Sequence, residues 1–218
     1  MNYIQEILNF VFPIKCILCG RKDFNLCIQC LTNAPENQKE VPSWIFPVLD
    51  YQYPPIKKGI WLLKYSHKKD LSFVFAKILY SKILEELSER KIMENFCKPI
   101  LIPIPLSKER FQERGFNQAE LICQELIKID NNQNYELKNN ILIKIKNTPQ
   151  QVNLKNRKER LKNLAGCFVI ENKNMVEIKN RNIILIDDVT TTGATLKEAK
   201  KILKKSGAKN IIAFTIAH

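Results

Sequence analysis

Two kinds of signal are missing from this chain of 218 residues, and their absence narrows its function. No Gly-x-x-x-x-Gly-Lys-Ser/Thr string occurs, which excludes a Walker-type phosphate-binding loop. Residues 1 to 13 have no basic start, contain Glu6 and are interrupted by Pro13, so we expect neither a signal peptide nor a membrane span. The expected compartment is therefore the cytoplasm.

Acidic residues are also few. The chain has 35 Lys and Arg against 22 Asp and Glu, a formal net charge of +13. Such an excess fits a polyanionic partner, but a lysine-rich proteome gives the same sign, so charge alone leaves both explanations open. The length fits one α/β domain with a small appendage, and the hydrophobic fraction of 45% is ordinary for a globular core.

Four of the seven cysteines are clustered near the N-terminus, as Cys16-x-x-Cys19 and Cys27-x-x-Cys30. This spacing lets four thiolates surround one tetrahedral Zn²⁺, and a full set of protein ligands indicates a structural rather than catalytic metal. A disulfide pair is the alternative, which a reducing compartment disfavours. Cys97, Cys123 and Cys167 are isolated, and we expect them to be small core residues.

The segment from residue 183 to 195 has the most informative pattern. Four branched apolar residues, Ile183 to Ile186, predict a strand buried on both faces, as in parallel sheets. The run from Leu196 to Ser206 predicts an amphipathic helix ended by Gly207, and residues 210 to 216 predict a second apolar strand. The segment is therefore a strand-loop-helix-strand crossover. The residues between its first strand and its helix are Asp187, Asp188, Val189, Thr190, Thr191, Thr192, Gly193, Ala194 and Thr195.

Ligands bind at the carboxyl ends of parallel strands, which is where these residues stand. A helix start with threonine hydroxyls and a glycine suits a phosphate monoester, and two adjacent carboxylates can accept hydrogen bonds from a sugar diol. Together they predict a ribose 5-phosphate site. The plain alternative is that the threonines cap the helix and the aspartates form a turn.

The rest of the chain has weaker signals. Prolines among polar residues from 31 to 47 predict a linker, Tyr51 to Tyr53 a short strand, and Ile60 to Tyr65 and Leu71 to Leu87 two helices. A short helix is expected at residues 2 to 12, a strand at 99 to 103, and another helix from Ala119 to about Ile127. A basic and aromatic patch from Lys64 to Lys69 could bind a nucleic-acid backbone and stack bases, although a solvated helix end is the commoner explanation of such a patch.

The 183 to 195 segment resembles the phosphoribosyl-pyrophosphate (PRPP) motif of type I phosphoribosyltransferases. The chain as a whole resembles the ComF family, which pairs an N-terminal zinc knuckle with such a domain. Besides the cysteines and the PRPP motif, the resemblance depends on Leu63-Lys-Tyr65, Ile102-Pro-Ile-Pro105, Arg114-Gly-Phe-Asn-Gln118, Thr148 with Gln151, and Arg160 with Asn163. Two departures are Ser66-His67 and Lys144 to Lys146, where the family has other residues; lysine lacks the bidentate grip of arginine on phosphate.

The resemblance implies a type I phosphoribosyltransferase-like α/β fold, a mostly parallel sheet with flanking helices, at residues 48 to 218, after a zinc module and linker at 1 to 47. It implies Mg²⁺ bound together with PRPP and a mobile flap at residues 147 to 163. The expected pyrophosphate-side loop consists of Pro103, Ile104, Pro105, Leu106 and Ser107. The candidates for DNA binding are Lys64, Tyr65, Lys68, Lys69, Arg110, Arg114, Arg157, Lys158 and Arg160, with Phe111 and Phe116 as further stacking surfaces.

Two functions remain open at this level. By resemblance, the protein binds PRPP and handles incoming single-stranded DNA during natural transformation, beside a helicase-type partner in the cytoplasm. Alternatively it is an active Mg²⁺-dependent phosphoribosyltransferase with an unidentified acceptor. A purine-salvage enzyme is a weaker third option, because no obvious hood for a nucleobase is visible and ordinary salvage enzymes have no zinc knuckle.

Overall fold

The computed structural model describes residues 13–131, 133–146 and 166–218. The expected short helix at 2 to 12 and the expected flap at 147 to 163 lie outside the described residues. The same is true of Thr148, Gln151, Arg157, Lys158, Arg160 and Asn163. No helix in the described ranges is both long and apolar enough to cross a membrane.

The described chain contains seven strands and seven helices. The strands are β1 (Ile45–Leu49), β2 (Ile100–Pro103), β3 (Glu136–Leu137), β4 (Ile143–Lys144), β5 (Phe168–Val169), β6 (Ile183–Val189) and β7 (Ile211–Ala217). The helices are α1 (Ile28–Thr32), α2 (Pro54–Tyr65), α3 (Leu71–Glu94), α4 (Lys108–Arg114), α5 (Gln118–Asp130), α6 (Asn172–Ile178) and α7 (Ala194–Lys205).

Five strands form one parallel sheet in the order β1-β7-β6-β2-β3, while β4 and β5 pair antiparallel beside it. In the central strand β6, Ile184 and Ile186 face one core cluster, and Ile183 and Leu185 face the other. Side chains alternate along a strand, so a run of four apolar residues is what a strand covered on both faces requires. The predicted crossover and the expected parallel α/β fold are confirmed.

Two predictions near the start of the sheet were wrong, namely the strand at Tyr51 to Tyr53 and a linker that continues to residue 47. The strand expected at Tyr51 to Tyr53 is a turn, and the strand lies earlier, at β1, across the boundary expected at residue 47. The prolines of residues 31 to 47 resemble a linker, but β1 is the edge strand of the five-stranded sheet, next to β7. An edge strand tolerates a residue without a backbone N–H, which is why Pro47 belongs to the sheet.

The helices predicted within the described residues are present and longer than expected. α2 begins at Pro54, where the missing N–H of proline costs nothing, and α3 continues to Glu94. Cys123 and Cys167 are buried as predicted, whereas Cys97 is exposed, so the prediction for that residue was wrong.

The cysteine module packs directly onto α2 and α3. Leu26 and Leu31 are buried in the same cluster as Leu63 of α2 and Phe75 of α3. At Gly59 the packing is close enough that an added Cβ would lie 3.3 Å from the Phe75 ring and 3.4 Å from Leu26. The module therefore shares its core with the helix that carries Lys64 and Tyr65.

Candidate functional site

The loop between β6 and α7 approaches β1 closely. Gly193 has a φ of 67°, a left-handed conformation, and a Cβ added there would lie 3.0 Å from Cδ1 of Ile45. Only glycine satisfies both conditions without strain. The Thr192 hydroxyl oxygen accepts from the Ala194 N–H at 3.4 Å, and the twelve-residue α7 directs its N-terminal dipole toward the loop. The loop thus has the backbone features of a phosphate site.

Two carboxylates end β6 beside this loop. One Asp187 oxygen accepts from the Asp188 N–H at 2.9 Å, and an Asp188 oxygen is 2.9 Å from Nζ of Lys64. Burial, together with the neighbouring Asp188 charge, raises the pKa of Asp187 to about 7; the Asp188 N–H, Lys64 and Lys144 oppose this shift. Asp187 therefore titrates near neutral pH, which is typical of functional sites.

The expected pyrophosphate-side loop is held against the same end of the sheet. The Ile104 N–H donates to the Ile186 carbonyl at 2.9 Å, and the Ile104 carbonyl accepts from Nδ2 of Asn117 at 3.0 Å. Ser107 is buried and caps α4, its hydroxyl accepting from the Arg110 N–H at 3.4 Å. The loop is consequently anchored at both of its ends.

A cavity of about 290 Å³ lies between these elements. Of the predicted PRPP and pyrophosphate residues, its lining includes Asp187, Asp188, Val189, Thr191, Thr195, Ile104, Pro105 and Leu106. Thr190, Thr192 and Gly193 line a separate hollow of about 200 Å³ with His218, and Thr191 lines both. Ala194, Pro103 and Ser107 are buried and do not line the cavity.

Arg110 and Lys144 are two of the cationic side chains that line this cavity. Burial and the charge of Arg110 lower the pKa of Lys144, and both side chains line the cavity with Asp187. Adjacent cations that repel each other are stabilised by a bound polyanion. In the sequence, Lys144 stood out only as a departure from the family pattern. Tyr51 and Trp61 also line the cavity, and no sequence motif marked either of them as a site residue.

The Arg114-Gly-Phe-Asn-Gln118 motif borders the cavity, and Arg114 is one of its lining residues. The Arg114 guanidinium donates to Gln118 at 2.9 Å and to the Tyr65 hydroxyl at 3.0 Å, and Asn117 caps α5. Arg114 is only 7% exposed and Phe116 only 6%. The predictions that Arg114 follows a DNA backbone and that Phe116 stacks on bases do not fit these positions, because both side chains have little exposed surface.

The remaining DNA-binding candidates are placed in different surroundings. Lys64, Tyr65 and Arg110 line the cavity, and Nζ of Lys69 lies 4.9 Å from the centre of the Phe116 ring. Lys68 is partly buried at the end of α2. The basic patch expected from Lys64 to Lys69 is thus divided between the cavity wall and the adjacent surface.

The four clustered cysteines have converging sulfur atoms, all within 4.8 Å of one another. Sγ of Cys27 is 3.8 Å from that of Cys16 and 3.7 Å from that of Cys19. A tetrahedral zinc with Zn–S bonds of roughly 2.3 Å has S–S edges of roughly 3.8 Å. The residues present fit such a group, and the cluster could hold one metal ion.

The electrostatics of the cluster also favour a cation. Burial alone would raise the pKa of the Cys16 thiol, but backbone N–H groups of Cys19, Cys27 and Leu18 lower it to about 6. Burial and the three neighbouring thiols raise the pKa of Cys30 to about 12. The first thiolate forms easily and the last does not, because four negative charges at this distance require a positive ion between them.

Comparison with known proteins gives a consistent result. Residues 115–218 match the phosphoribosyl transferase domain model. The chain is 32% identical over 182 residues to competence protein F of Haemophilus influenzae, covering 82% of this chain and 75% of that protein. It is 29% identical over 205 residues to DNA utilization protein YhgH of Escherichia coli K12, covering 88% and 85% respectively. Competence protein ComFC of Bacillus subtilis is 42% identical over 118 residues, which are 54% of this chain and 43% of that one.

The solved structures that align with this chain include hypoxanthine phosphoribosyltransferases. The Trypanosoma cruzi enzyme aligns with a TM-score of 0.40 at 10% identity, covering 67% of this chain and 64% of that one. A Staphylococcus aureus enzyme aligns with a TM-score of 0.36 at 14% identity, covering 67% and 62%. The fold assignment depends instead on the domain match and on the parallel sheet with its β6-loop-α7 crossover.

These findings define the chain as a protein with a type I phosphoribosyltransferase-like fold and an N-terminal cysteine cluster. The similarity to competence protein F, 32% identity over 82% of this chain, shows the family to which the chain belongs. The chain belongs to the ComF family.

Proposed function

We propose that this protein binds PRPP with Mg²⁺ in the cavity at the end of β6 and handles incoming single-stranded DNA in the cytoplasm during natural transformation. The observation that supports this most is that one cavity brings an acidic pair and a helix N-terminus together with Arg110 and Lys144. A ligand that fits it has a hydroxylated centre and phosphates at both ends.

PRPP has that distribution of groups. Its 5-phosphate would lie at the start of α7, where backbone N–H groups and the helix dipole favour an anion. Its ribose hydroxyls would donate to Asp187 and Asp188, and its pyrophosphate would lie near the Ile104 to Leu106 loop, Arg110 and Lys144. Mg²⁺ prefers oxygen ligands and keeps several waters, so the carboxylates and the pyrophosphate oxygens would hold it.

The DNA part of the proposal is supported by two observations. The relatives that cover most of the chain are named as competence and DNA utilization proteins, and the net charge of +13 favours a polyanion. The exposed basic surface near the cavity, with Lys57, Lys58 and Lys69, is available to phosphates. A helicase-type protein remains the proposed partner, and the four cysteines are proposed to hold structural zinc.

Active phosphoribosyl transfer is the second candidate, and one observation favours it. With a pKa of about 7, Asp187 could exchange a proton at neutral pH within a cavity that also holds cations for a leaving pyrophosphate. Bound Mg²⁺ would supply charge neutralisation for that leaving group. The acceptor would be a small nucleophile that reaches the cavity beside Trp61.

Calorimetric titration with PRPP and Mg²⁺, with and without oligo-dT, tests both candidates when released pyrophosphate is measured in the same samples. We expect saturable PRPP binding that Asp187→Ala and Thr191→Val each weaken by roughly ten- to a hundredfold, since each removes a hydrogen bond to a charged group. Thr32→Val, which removes an exposed hydroxyl from α1, is the matched control. Unchanged affinity in both pocket variants would refute the assignment, and pyrophosphate release would favour the transferase.

A further inference from the structure

Two aromatic rings are exposed side by side on α2. Trp61 is 48% exposed and Tyr65 is 39% exposed. Residues four apart on a helix are neighbours on its surface, and the two ring centroids are 6.0 Å apart with an interplanar angle of 43°. Large aromatic side chains normally lose most of their water contact on folding. The pair therefore forms an unexplained aromatic surface, which we call the α2 shelf.

Cations accompany both rings. Nζ of Lys58 lies 4.7 Å from the centre of the Trp61 ring, and the guanidinium carbon of Arg114 lies 4.9 Å from that of Tyr65. Arg114 is buried and also bonds the Tyr65 hydroxyl, so Tyr65 is fixed against the main domain. Lys58, by contrast, is exposed and can interact with a ligand. The shelf thus combines an immobilised ring, an open ring and an available positive charge.

The shelf lies at the cavity rather than on an unrelated surface. Trp61 and Tyr65 line the same cavity as Asp187, Arg110 and Lys144. A ligand resting on the shelf would be adjacent to the proposed PRPP site. Because the cations around it outnumber the two carboxylates, that ligand should be anionic as well as aromatic.

We propose that the α2 shelf stacks a base of single-stranded DNA, with Lys58 on the neighbouring phosphate. This inference depends on the proposed DNA-handling function and adds to it the place where a base is held. Every base has a π-face, so stacking on Trp and Tyr is tolerant of sequence, and the phosphate contributes the charge that Lys58 requires.

The tryptophan content permits a direct test. The chain contains two tryptophans, Trp44 and Trp61, so Trp44→Phe leaves Trp61 as the only one. This variant is titrated with fluorescently labelled oligo-dT and, separately, with a labelled abasic strand of equal length. Label anisotropy reports binding, and tryptophan emission, measured with unlabelled strands, reports stacking. We expect both strands to bind but only oligo-dT to quench Trp61.

A substitution tests the same point through affinity. Trp61→Ala should weaken oligo-dT binding by about five- to a hundredfold, affect the abasic strand little, and leave the salt dependence unchanged, since no phosphate contact is removed. Phe73→Ala is the matched control, because Phe73 is 43% exposed with Nζ of Lys77 4.7 Å from its ring, yet it does not line the cavity. The control should bind oligo-dT as the parent does.

The outcomes separate the inference from the function on which it depends. If oligo-dT binds without quenching Trp61, or if Trp61→Ala and Phe73→Ala weaken binding equally, the shelf is not a base site while DNA handling stands. If neither strand binds at about physiological salt, the DNA function fails and the inference fails with it. In that case the shelf would be tested as a contact surface for a protein partner.

Discussion

The ion pair between Lys64 and Asp188 makes the most demanding prediction about the cavity. Its two charged atoms are 2.9 Å apart, and the side chains are 18% and 12% exposed. Removing one partner of a fully buried pair costs about 3–5 kcal/mol, whereas an exposed pair contributes about 0–1 kcal/mol. For this partly buried pair we expect Lys64→Met to lower the free energy of unfolding by about 1–3 kcal/mol.

The same substitution should weaken the ligand. Lys64 opposes the upward pKa shift of Asp187, so without it that pKa should rise above its value of about 7. Fewer molecules then have an ionised Asp187 at pH 7, and a cation near the polyanion is also lost. We expect PRPP affinity to fall by roughly ten- to a hundredfold at pH 7. Because more of the Asp187 carboxyl is ionised as pH rises, the loss of PRPP affinity in Lys64→Met should be smaller at pH 8 than at pH 7.

Two measurements check this prediction on zinc-saturated protein. A loss of 1–3 kcal/mol corresponds to a decrease in Tm of about 2–12 °C for a chain of this length, measurable by thermal unfolding. Calorimetric titration with PRPP and Mg²⁺ at pH 7 and pH 8 gives the affinities. Lys57→Met removes the same charge from an exposed position of α2 and should change neither quantity. A Lys64→Met variant with the Tm and affinity of the parent would refute the reasoning.

Three further predictions concern proton, metal and salt dependence. The pKa of Asp187 is raised from 3.8 to about 7 in the folded state, so the contribution of this carboxyl to stability is lost as pH rises through that range. We therefore expect Asp187→Asn to be about 1–2 kcal/mol more stable than the parent protein at pH 8 but not near pH 4, measured as Tm. The four-cysteine cluster should contain one zinc per chain by metal analysis, and chelation should lower the Tm and weaken PRPP binding, because Leu26 and Leu31 pack in one core cluster with α2. The logarithm of the oligo-dT association constant should fall against log salt with a slope of about −3 for four or five phosphates, and charge reversal at Lys68 and Lys69 should flatten it.

Each of these predictions has a control and a contradicting result. Asp23→Asn removes an exposed carboxylate and should give no pH-dependent gain; an equal gain in both variants would mean that the effect is only net charge. Less than about half an equivalent of zinc in protein purified without chelators would count against the structural metal. Charge reversal at Lys201 and Lys205, near the far end of α7, should alter the salt slope little, and equal flattening there would show that the charge is only compositional.

Much of this protein could be predicted from local sequence. The Ile183 to Ile186 run, the amphipathic helix after it and Gly207 identify a parallel crossover because their periods and end signals are properties of short segments. The cysteine spacing likewise predicted a converging four-thiol cluster, which the structure places within 4.8 Å. The family was recognisable for the same reason, since its motifs are short strings in a fixed order.

Contacts between distant segments were decided only by the tertiary structure. Lys64 and Asp188 are 124 residues apart, and nothing in either neighbourhood indicates that they form an ion pair. Arg114 and Phe116 read as surface groups in sequence, yet α5 and the end of α2 enclose them. Pro47 resembles a linker residue until β1 is seen at a sheet edge. In each case the physical cause is packing between elements, because burial and pairing depend on which surfaces meet, and the local pattern of residues does not contain that information.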